Sequence, residues 1–228
     1  MTHLLCLGDS ITDCGRILGH PPLGNGYVYK LRKKLNTLNN DWNITNCGVD
    51  GFTVSRLLTG LRQGTIPYNA DIISILIGIN DIGLMMNTGR NAEQQHMMHK
   101  KFLSDYESLL ITLNTDFHGG SSVNAGDVCC HSPLPPACIR KKPRIILLEP
   151  FIFTRPAGYI NWLPHIQTMS QGISCLAEKY QCTYIRLQED LNKAALEYGT
   201  DSVSEDGIHL TSCGHEILAE KLAGILSL

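Results

Sequence analysis

Short apolar runs alternate with segments of helical period along this sequence, and this alternation constrains the fold more than any other feature. Such a pattern is typical of repeated β-α units, which build a parallel sheet covered by helices. We therefore predict an α/β fold, a three-layer sandwich with a five-stranded parallel sheet between helices. The predicted strands are Leu4–Leu7, Trp42–Cys47, Asp71–Ile77, Arg144–Leu148 and Thr183–Leu187.

The segments between these runs place apolar residues on one helical face. The last of them predicts a helix near Ser212–Leu226, at the end of the chain. The first predicted helix has its apolar face at Tyr27, Val28, Leu31, Leu35 and Leu38.

Composition limits the number of domains and the kinds of partner. The chain has 228 residues, of which 43% are hydrophobic and 18% charged, so one sizeable core can form and a single domain over 1–228 is predicted. A net charge of −2 leaves no excess of Lys and Arg for a phosphate backbone, which argues against a nucleic-acid partner. No apolar run approaches the roughly 20 residues of a membrane span, so membrane insertion is not expected.

One segment, 116–142, breaks the rhythm of strands and helices. It is rich in Gly, Ser and Pro and is predicted to be a loop insertion, flexible or facing a partner. Cys129, Cys130, His131 and Cys138 lie in it, but their spacing lacks the Cys-x-x-Cys pair of structural zinc sites. A zinc site there is the less favoured interpretation.

Cysteine usage bears on the cellular compartment. The chain has nine cysteines, an odd number, and it opens without the cationic and apolar regions of a signal peptide. These features predict reduced thiols and a cytoplasmic location. A chain from which a signal peptide had been removed would look the same, so that alternative stays open.

Ser10 follows the first predicted strand, within Gly8-Asp9-Ser10-Ile11-Thr12. Ligands of open parallel sheets bind at the carboxyl ends of the strands, so this serine lies where catalysis is expected. The alternative is that Asp9, Ser10 or Thr12 only caps the following helix.

Gly51 and Asn80 follow the second and third predicted strands. A glycine there lets a backbone amide approach a ligand, and an Asn side chain can donate across the strand ends, so both could bind an oxyanion. The alternatives are an ordinary turn at Gly51 and an Asx turn at Asn80. The glycines do not form the G-x-G-x-x-G pattern of dinucleotide binding.

Asp206 and His209 precede the last predicted helix. An Asp three residues before a His can hold one imidazole nitrogen and leave the other free to act as a base, although such pairs also occur in plain surface loops. His215 is interpreted as a packing or hydrogen-bonding histidine. With Ser10, the pair occurs in the chain order Ser, Asp, His, which together with the two donors supplies an acyl-transfer site.

In this combination the sequence resembles the SGNH (GDSL-type) hydrolase superfamily, named for a Ser, a Gly, an Asn and a His in separate blocks. Ser10, Gly51, Asn80 and His209 match these blocks in order. The opening Gly8–Arg16 is further similar to the branch of intracellular acetylxylan and carbohydrate acetylesterases. Two features depart from the family: Leu210 replaces the usual Pro, and the residues after the Asn-Asp pair are aliphatic where relatives carry an aromatic group.

The resemblance implies a flavodoxin-like SGNH fold and a serine esterase acting on short acyl esters, with acetylated xylo-oligosaccharides or other acetylated sugars favoured. Ser10, Asp206 and His209 would form the triad, and Ser10, Gly51 and Asn80 the oxyanion hole. No metal or cofactor is implied, and homo-oligomer formation is left open.

Three alternatives remain at this point. One is a lipolytic esterase or thioesterase of the same family, and another is a non-catalytic flavodoxin-like module that binds a ligand. The third is a zinc deacetylase that would use Cys129, Cys130, His131 or His215.

Overall fold

The computed structural model describes residues 1–18, 21–37, 41–115 and 142–227. In it the five predicted strands form one parallel sheet in the order β2-β1-β3-β4-β5, which confirms the predicted fold class. The strands are β1 (Thr2–Gly8), β2 (Trp42–Gly48), β3 (Ile72–Leu76), β4 (Arg144–Leu148) and β5 (Thr183–Ile185).

Helices cover both faces of the sheet. They are α1 (Ser10–Asp13), α2 (Tyr27–Asn36), α3 (Val54–Arg62), α4 (Ile79–Met86), α5 (Ala92–Thr115), α6 (Leu163–Tyr180), α7 (Gln188–Tyr198), α8 (Thr200–Val203) and α9 (Ser212–Leu226), with a 3₁₀ helix at Ala157–Trp162 before α6.

Several boundaries differ from the sequence prediction. Strand β1 is longer at both ends, β2 extends to Gly48, and β3 is one residue shorter at each end. Strand β5 ends at Ile185 rather than Leu187, because the Leu187 amide donates to the Glu149 carboxylate, at 2.7 Å, instead of to a strand. Helix α2 ends at Asn36, and Leu38 lies outside the described residues.

Strand β1 lies in the core, which explains its continuous run of apolar residues. Leu4, Leu5, Cys6 and Leu7 are all buried, because helices cover both faces of this central strand. The parallel register places Gly8 beside Gly48 of β2 and beside Leu76 of β3. The carboxyl ends of these three strands are therefore level, and the loops that follow them meet at one edge.

Two sequence predictions, the loop insertion and the single domain, are not tested by the described residues. The segment 116–142 falls outside the described residues except for Lys142, and the single domain over 1–228 stays a prediction. None of the helices within the described ranges is long and apolar enough to span a bilayer.

Candidate active site

Ser10 is the first residue of α1, directly after β1. Asp9 caps this short helix, since its Oδ1 accepts the Ile11 amide at 3.1 Å. The predicted capping role therefore falls to Asp9. The Ser10 hydroxyl points elsewhere: its Oγ lies 3.0 Å from Nε2 of His209.

His209 is held on its other side by Asp206. Its Nδ1 lies 2.7 Å from Asp206 Oδ2, while Asp206 Oδ1 accepts the backbone amides of Ile208 and His209 at 2.9 and 2.7 Å. A carboxylate at Nδ1 requires the proton there, which leaves Nε2 unprotonated to accept the Ser10 hydroxyl. The three side chains that the sequence predicted as a triad thus form one hydrogen-bonded line.

The electrostatics of Asp206 suit this line. Its partial burial opposes ionisation, but the hydrogen bonds from His209 and from the backbone outweigh that effect and lower the pKa of the carboxyl. The Asp206 carboxylate therefore stays negative and can stabilise a protonated imidazole. The site is open to solvent, since the side chains of His209 and Asp206 are 46% and 50% exposed.

Gly51 lies in the loop after β2, and Asn80 is the second residue of α4, which follows β3. The two residues lie on either side of Ser10 in the sheet order. Gly51 has a φ of +69°, which favours glycine, and a Cβ there would meet no atom within 4 Å. The Asn80 side-chain amide donates one hydrogen to the Phe52 carbonyl at 3.0 Å, and a second hydrogen remains on that nitrogen. Their role as oxyanion donors stays a prediction.

A second hydrogen bond joins the segment after Gly51 to α4. The Val54 amide, at the start of α3, donates to Asp81 Oδ2 at 3.1 Å. Together with the bond from Asn80 to Phe52, it fixes the glycine loop against the start of α4. The sequence pointed to the Asn-Asp pair, but not to Asp81 as the residue that connects the two segments.

Two carboxyl groups near the site have unusual acidity. Burial raises the pKa of Asp9 to about 7, and mutual repulsion with Asp81 adds to this shift. Burial also raises the pKa of Asp81 to about 7, against the lowering effect of the Val54 amide. Neither side chain touches the reacting hydroxyl in the hydrogen-bonded line.

His215 is a buried, hydrogen-bonding histidine, as predicted. Its Nδ1 accepts the Tyr27 amide at 3.2 Å, so the proton is on Nε2, which faces Cys14 Sγ at 3.4 Å. Burial lowers the pKa of His215 to about 4. Within the described ranges no three His, Cys, Asp or Glu side chains converge on a common point, while Cys129, Cys130 and His131 lie outside them.

Sequence reasoning missed two aromatic residues beside the site, Tyr159 and Trp162 of the 3₁₀ helix. The Tyr159 ring packs against Gly207, the residue after Asp206, and the Trp162 ring packs over Gly83 of α4. The sequence could have indicated them by their position after β4, which neighbours β3 in the sheet. Segments that follow neighbouring strands at the carboxyl edge of the sheet surround the site.

A parallel sheet with a hydroxyl, an imidazole and a carboxylate in line at its carboxyl edge is typical of hydrolases that transfer acyl groups. Sequence comparison identifies the family within this class of hydrolases. A profile of the GDSL-like Lipase/Acylhydrolase family matches residues 6–217, and the chain belongs to this family. The protein is a carboxylic ester hydrolase.

Individual relatives agree with this assignment. An acetylxylan esterase from Geobacillus stearothermophilus is 29% identical in an alignment of 230 positions, which covers 95% of this chain and 90% of that esterase. The solved structure of the acetylxylan esterase Axe2 from the same organism has a TM-score of 0.72 at 22% identity, over 100% of this chain and 94% of Axe2. A structure from Parabacteroides merdae, described as that of a GDSL-like lipase, has a TM-score of 0.76 at 22% identity, over 99% of this chain and 95% of that one.

Proposed function

We propose that the protein is a serine esterase that removes short acyl groups, above all acetyl, from sugars such as xylo-oligosaccharides. The observation that carries the proposal is the hydrogen-bonded line from Ser10 through His209 to Asp206, with distances of 3.0 and 2.7 Å. The sugar substrate is supported by the acetylxylan esterase among the relatives.

In the proposed mechanism His209 takes the proton of Ser10 as the serine oxygen attacks the ester carbonyl. The bond to the alcohol breaks, the imidazolium returns the proton to the leaving oxygen, and an acetyl group remains on Ser10. Water activated by His209 then releases acetate. Asp206 keeps the imidazole in the required tautomer and stabilises its positive charge.

The oxyanion of the intermediate would be stabilised by the backbone amides of Ser10 and Gly51 and by the side-chain amide of Asn80. A pre-positioned donor of this kind contributes about 10²- to 10³-fold in rate. The loop that carries Gly51 is joined to α4 by the bond from Asn80 to the Phe52 carbonyl, which supports such pre-positioning.

The exposure of the site supports a short acyl group on a bulky polar alcohol. The catalytic side chains of His209 and Asp206 are about half exposed, so an oligosaccharide can approach without threading into an enclosed channel. Family membership and the ester-hydrolysing relative favour this enzyme over the non-catalytic ligand-binding module.

The decisive experiment is a panel of p-nitrophenyl esters of increasing acyl length, measured beside acetylated xylose with Ser10→Ala as the blank. We expect acetyl to be the preferred acyl group and both Ser10→Ala and His209→Ala to lose activity by at least about 10³-fold while staying folded. Preference for long chains would favour the lipolytic alternative. Activity that survives both changes would refute the serine mechanism.

Metal removal separates this mechanism from a zinc deacetylase. The proposed chemistry uses side chains of this chain alone, so dialysis against EDTA is expected to leave kcat unchanged. Loss of activity together with stoichiometric zinc would overturn the serine mechanism.

A cytoplasmic location is proposed on the same footing. Its support is that the six cysteines in the described ranges are all unpaired. Fractionation of the source cells would test it.

A further inference from the structure

Tyr159 and Trp162 form an aromatic pair, with ring centroids 4.7 Å apart and ring planes inclined by 52°. Both belong to the 3₁₀ helix Ala157–Trp162, which follows β4 and precedes α6. Trp162 is buried, with 6% of its surface exposed, whereas Tyr159 is half-buried. Trp162 is therefore the buried member of the pair and Tyr159 the partly exposed one.

The pair spans two parts of the candidate active site. On one side, a Cβ at Gly207 would lie 2.9 Å from the Tyr159 ring, so the missing side chain lets Tyr159 approach the loop of Asp206 and His209. On the other side, the Trp162 ring lies 3.7 Å from the position of a Cβ at Gly83. Gly83 is one helical turn after Asn80, and therefore lies on the same face of α4.

The order of the strands gives this pair a defined place. Along the carboxyl edge of the sheet the loops of β2, β1, β3 and β4 follow one another. The segments that follow these strands contain, in the same order, Gly51, Ser10, Asn80 and Tyr159. A substrate held between Ser10 and Asn80 that extends toward β4 meets the aromatic pair next.

The Tyr159 side chain has a mixed character. Its ring offers an apolar face, and its hydroxyl interacts electrostatically with the Asp206 carboxylate. Partial burial raises the pKa of Tyr159, and the negative charge of Asp206 raises it further. A pyranose ring presents an apolar C–H face and a rim of hydroxyl groups, which match a ring face with polar groups beside it. A linear acyl chain would leave these polar groups unpartnered.

We propose that Tyr159, packed against Trp162, is the residue that binds the sugar ring of the ester and selects sugar acetates over simple acetates. This inference rests on the sugar-esterase function proposed above and adds the residue that recognises the alcohol. It also accounts for the aliphatic sequence after Asn80, because the aromatic surface comes from the 3₁₀ helix instead of from α4.

The test compares two acetates with different alcohols, a monoacetylated methyl xyloside and ethyl acetate. We expect Tyr159→Ala to raise KM for the xyloside ester about tenfold, the size of a lost stacking contact, and to leave kcat/KM for ethyl acetate and its pH profile unchanged. Tyr159→Phe keeps the ring and is expected to retain most of the preference. Tyr29→Ala is the matched control, because Tyr29 is also half-buried but lies on α2 beneath Lys33.

The outcomes separate this inference from the function on which it rests. An equal loss on both esters, or a shifted pH profile, would show that Tyr159 only positions Asp206, and unchanged values on both would show that it has no role. A larger effect on long-chain esters would assign it to the acyl group. Each of these overturns the inference alone, whereas a wild-type protein that cleaves ethyl acetate but not the xyloside ester overturns the proposed sugar substrate as well.

Discussion

At the scale of single residues, the site depends on side chains and amides whose positions are set by their neighbours. Ser10 faces His209 because Asp9 takes over the cap of α1, and His209 keeps its proton on Nδ1 because Asp206 accepts it. In the proposed oxyanion hole Gly51 acts through its backbone amide, and its φ of +69° is one that favours glycine. Changes at these residues should therefore affect the rate more than the stability.

Replacement of Gly51 by Ala tests the backbone amide. A Cβ has room at Gly51, so the cost is the strain of a left-handed residue, about 1–2 kcal/mol, which shifts the backbone and its amide. We expect kcat to fall at least about tenfold. Gly64→Ala is the matched control, because Gly64 has the same φ of +69° and equally open space.

Urea unfolding and acetate-ester kinetics of both variants provide the measurement. The two variants should lose similar stability, and only Gly51→Ala should lose activity per folded molecule. Equal kinetics in the two variants would contradict the assignment of Gly51 to the oxyanion hole.

Replacement of Asp206 by Asn tests the tautomer of His209. The amide nitrogen would donate to Nδ1, so the imidazole proton would move to Nε2, where it can no longer accept the Ser10 hydroxyl. Because Asp206 is 50% exposed and water can partly replace it, we expect kcat to fall about 10²- to 10³-fold rather than further. Glu205→Gln, a change at the exposed neighbour, should leave kcat intact. Retention of most activity in Asp206→Asn would contradict the triad.

At the scale of secondary-structure elements, the site is held by contacts between helix starts. Asp81 near the start of α4 accepts the Val54 amide at the start of α3, at 3.1 Å, which joins two segments that follow different strands. His215 of α9 in turn accepts the amide of Tyr27 at the start of α2. These contacts fix the starts of α2, α3 and α4 and tie α9 to α2.

The buried carboxyl of Asp81 predicts a pH dependence of stability. Burial raises its pKa to about 7 in the folded chain, from an ordinary value of 3.8, so the folded state binds more protons than the unfolded state between these values. This contribution to stability is complete below about pH 4 and is lost as the pH rises through about 7. Asp81→Asn keeps an acceptor for Val54 but cannot ionise.

We expect Asp81→Asn to lose less stability than the wild type between pH 4 and pH 7, measured as urea midpoints across that range. Asp41→Asn, a change at an exposed aspartate at the start of β2, should follow the wild-type curve. Curves for Asp81→Asn that stay parallel to the wild type would contradict the shifted pKa.

At the scale of the whole molecule, the sheet is the frame that keeps these loops in register. Ile75 of β3 is fully buried between Leu7 of β1 and Leu147 of β4. We expect Ile75→Ala to lower the free energy of unfolding by about 2–5 kcal/mol, because it leaves a cavity in the central part of the sheet. Leu196→Ala, at a side chain that is 89% exposed, should change it by less than about 0.5 kcal/mol.

Thermal and urea denaturation measure both effects. A cost at Ile75 no larger than that at Leu196 would contradict the packing of β3 at the centre of the sheet.

Much of this frame could be predicted from the sequence. All five strands were identified. The signal is strongest for β1, because a strand buried on both faces must be apolar throughout, as Leu4–Leu7 is, whereas β2 alternates buried and more exposed residues. Ser10 could be named because it closely follows β1, and Asp206 and His209 because an Asp three residues before a His can hold its imidazole. The end of β5 was misplaced, since a carboxylate distant in sequence, Glu149, takes the amide that the strand pattern assigned to the sheet.

Local sequence determined the class of the fold, the approximate positions of the strands and the candidate residues for acyl transfer, because periodicity and side-chain chemistry are properties of neighbouring residues. The tertiary structure alone decided that Asp81 joins the segment after Gly51 to α4, and that Tyr159 lies against Gly207. These contacts join parts of the chain that are distant in sequence. The register and order of the strands determine which residues make these contacts, because they bring distant parts of the chain to one edge of the sheet.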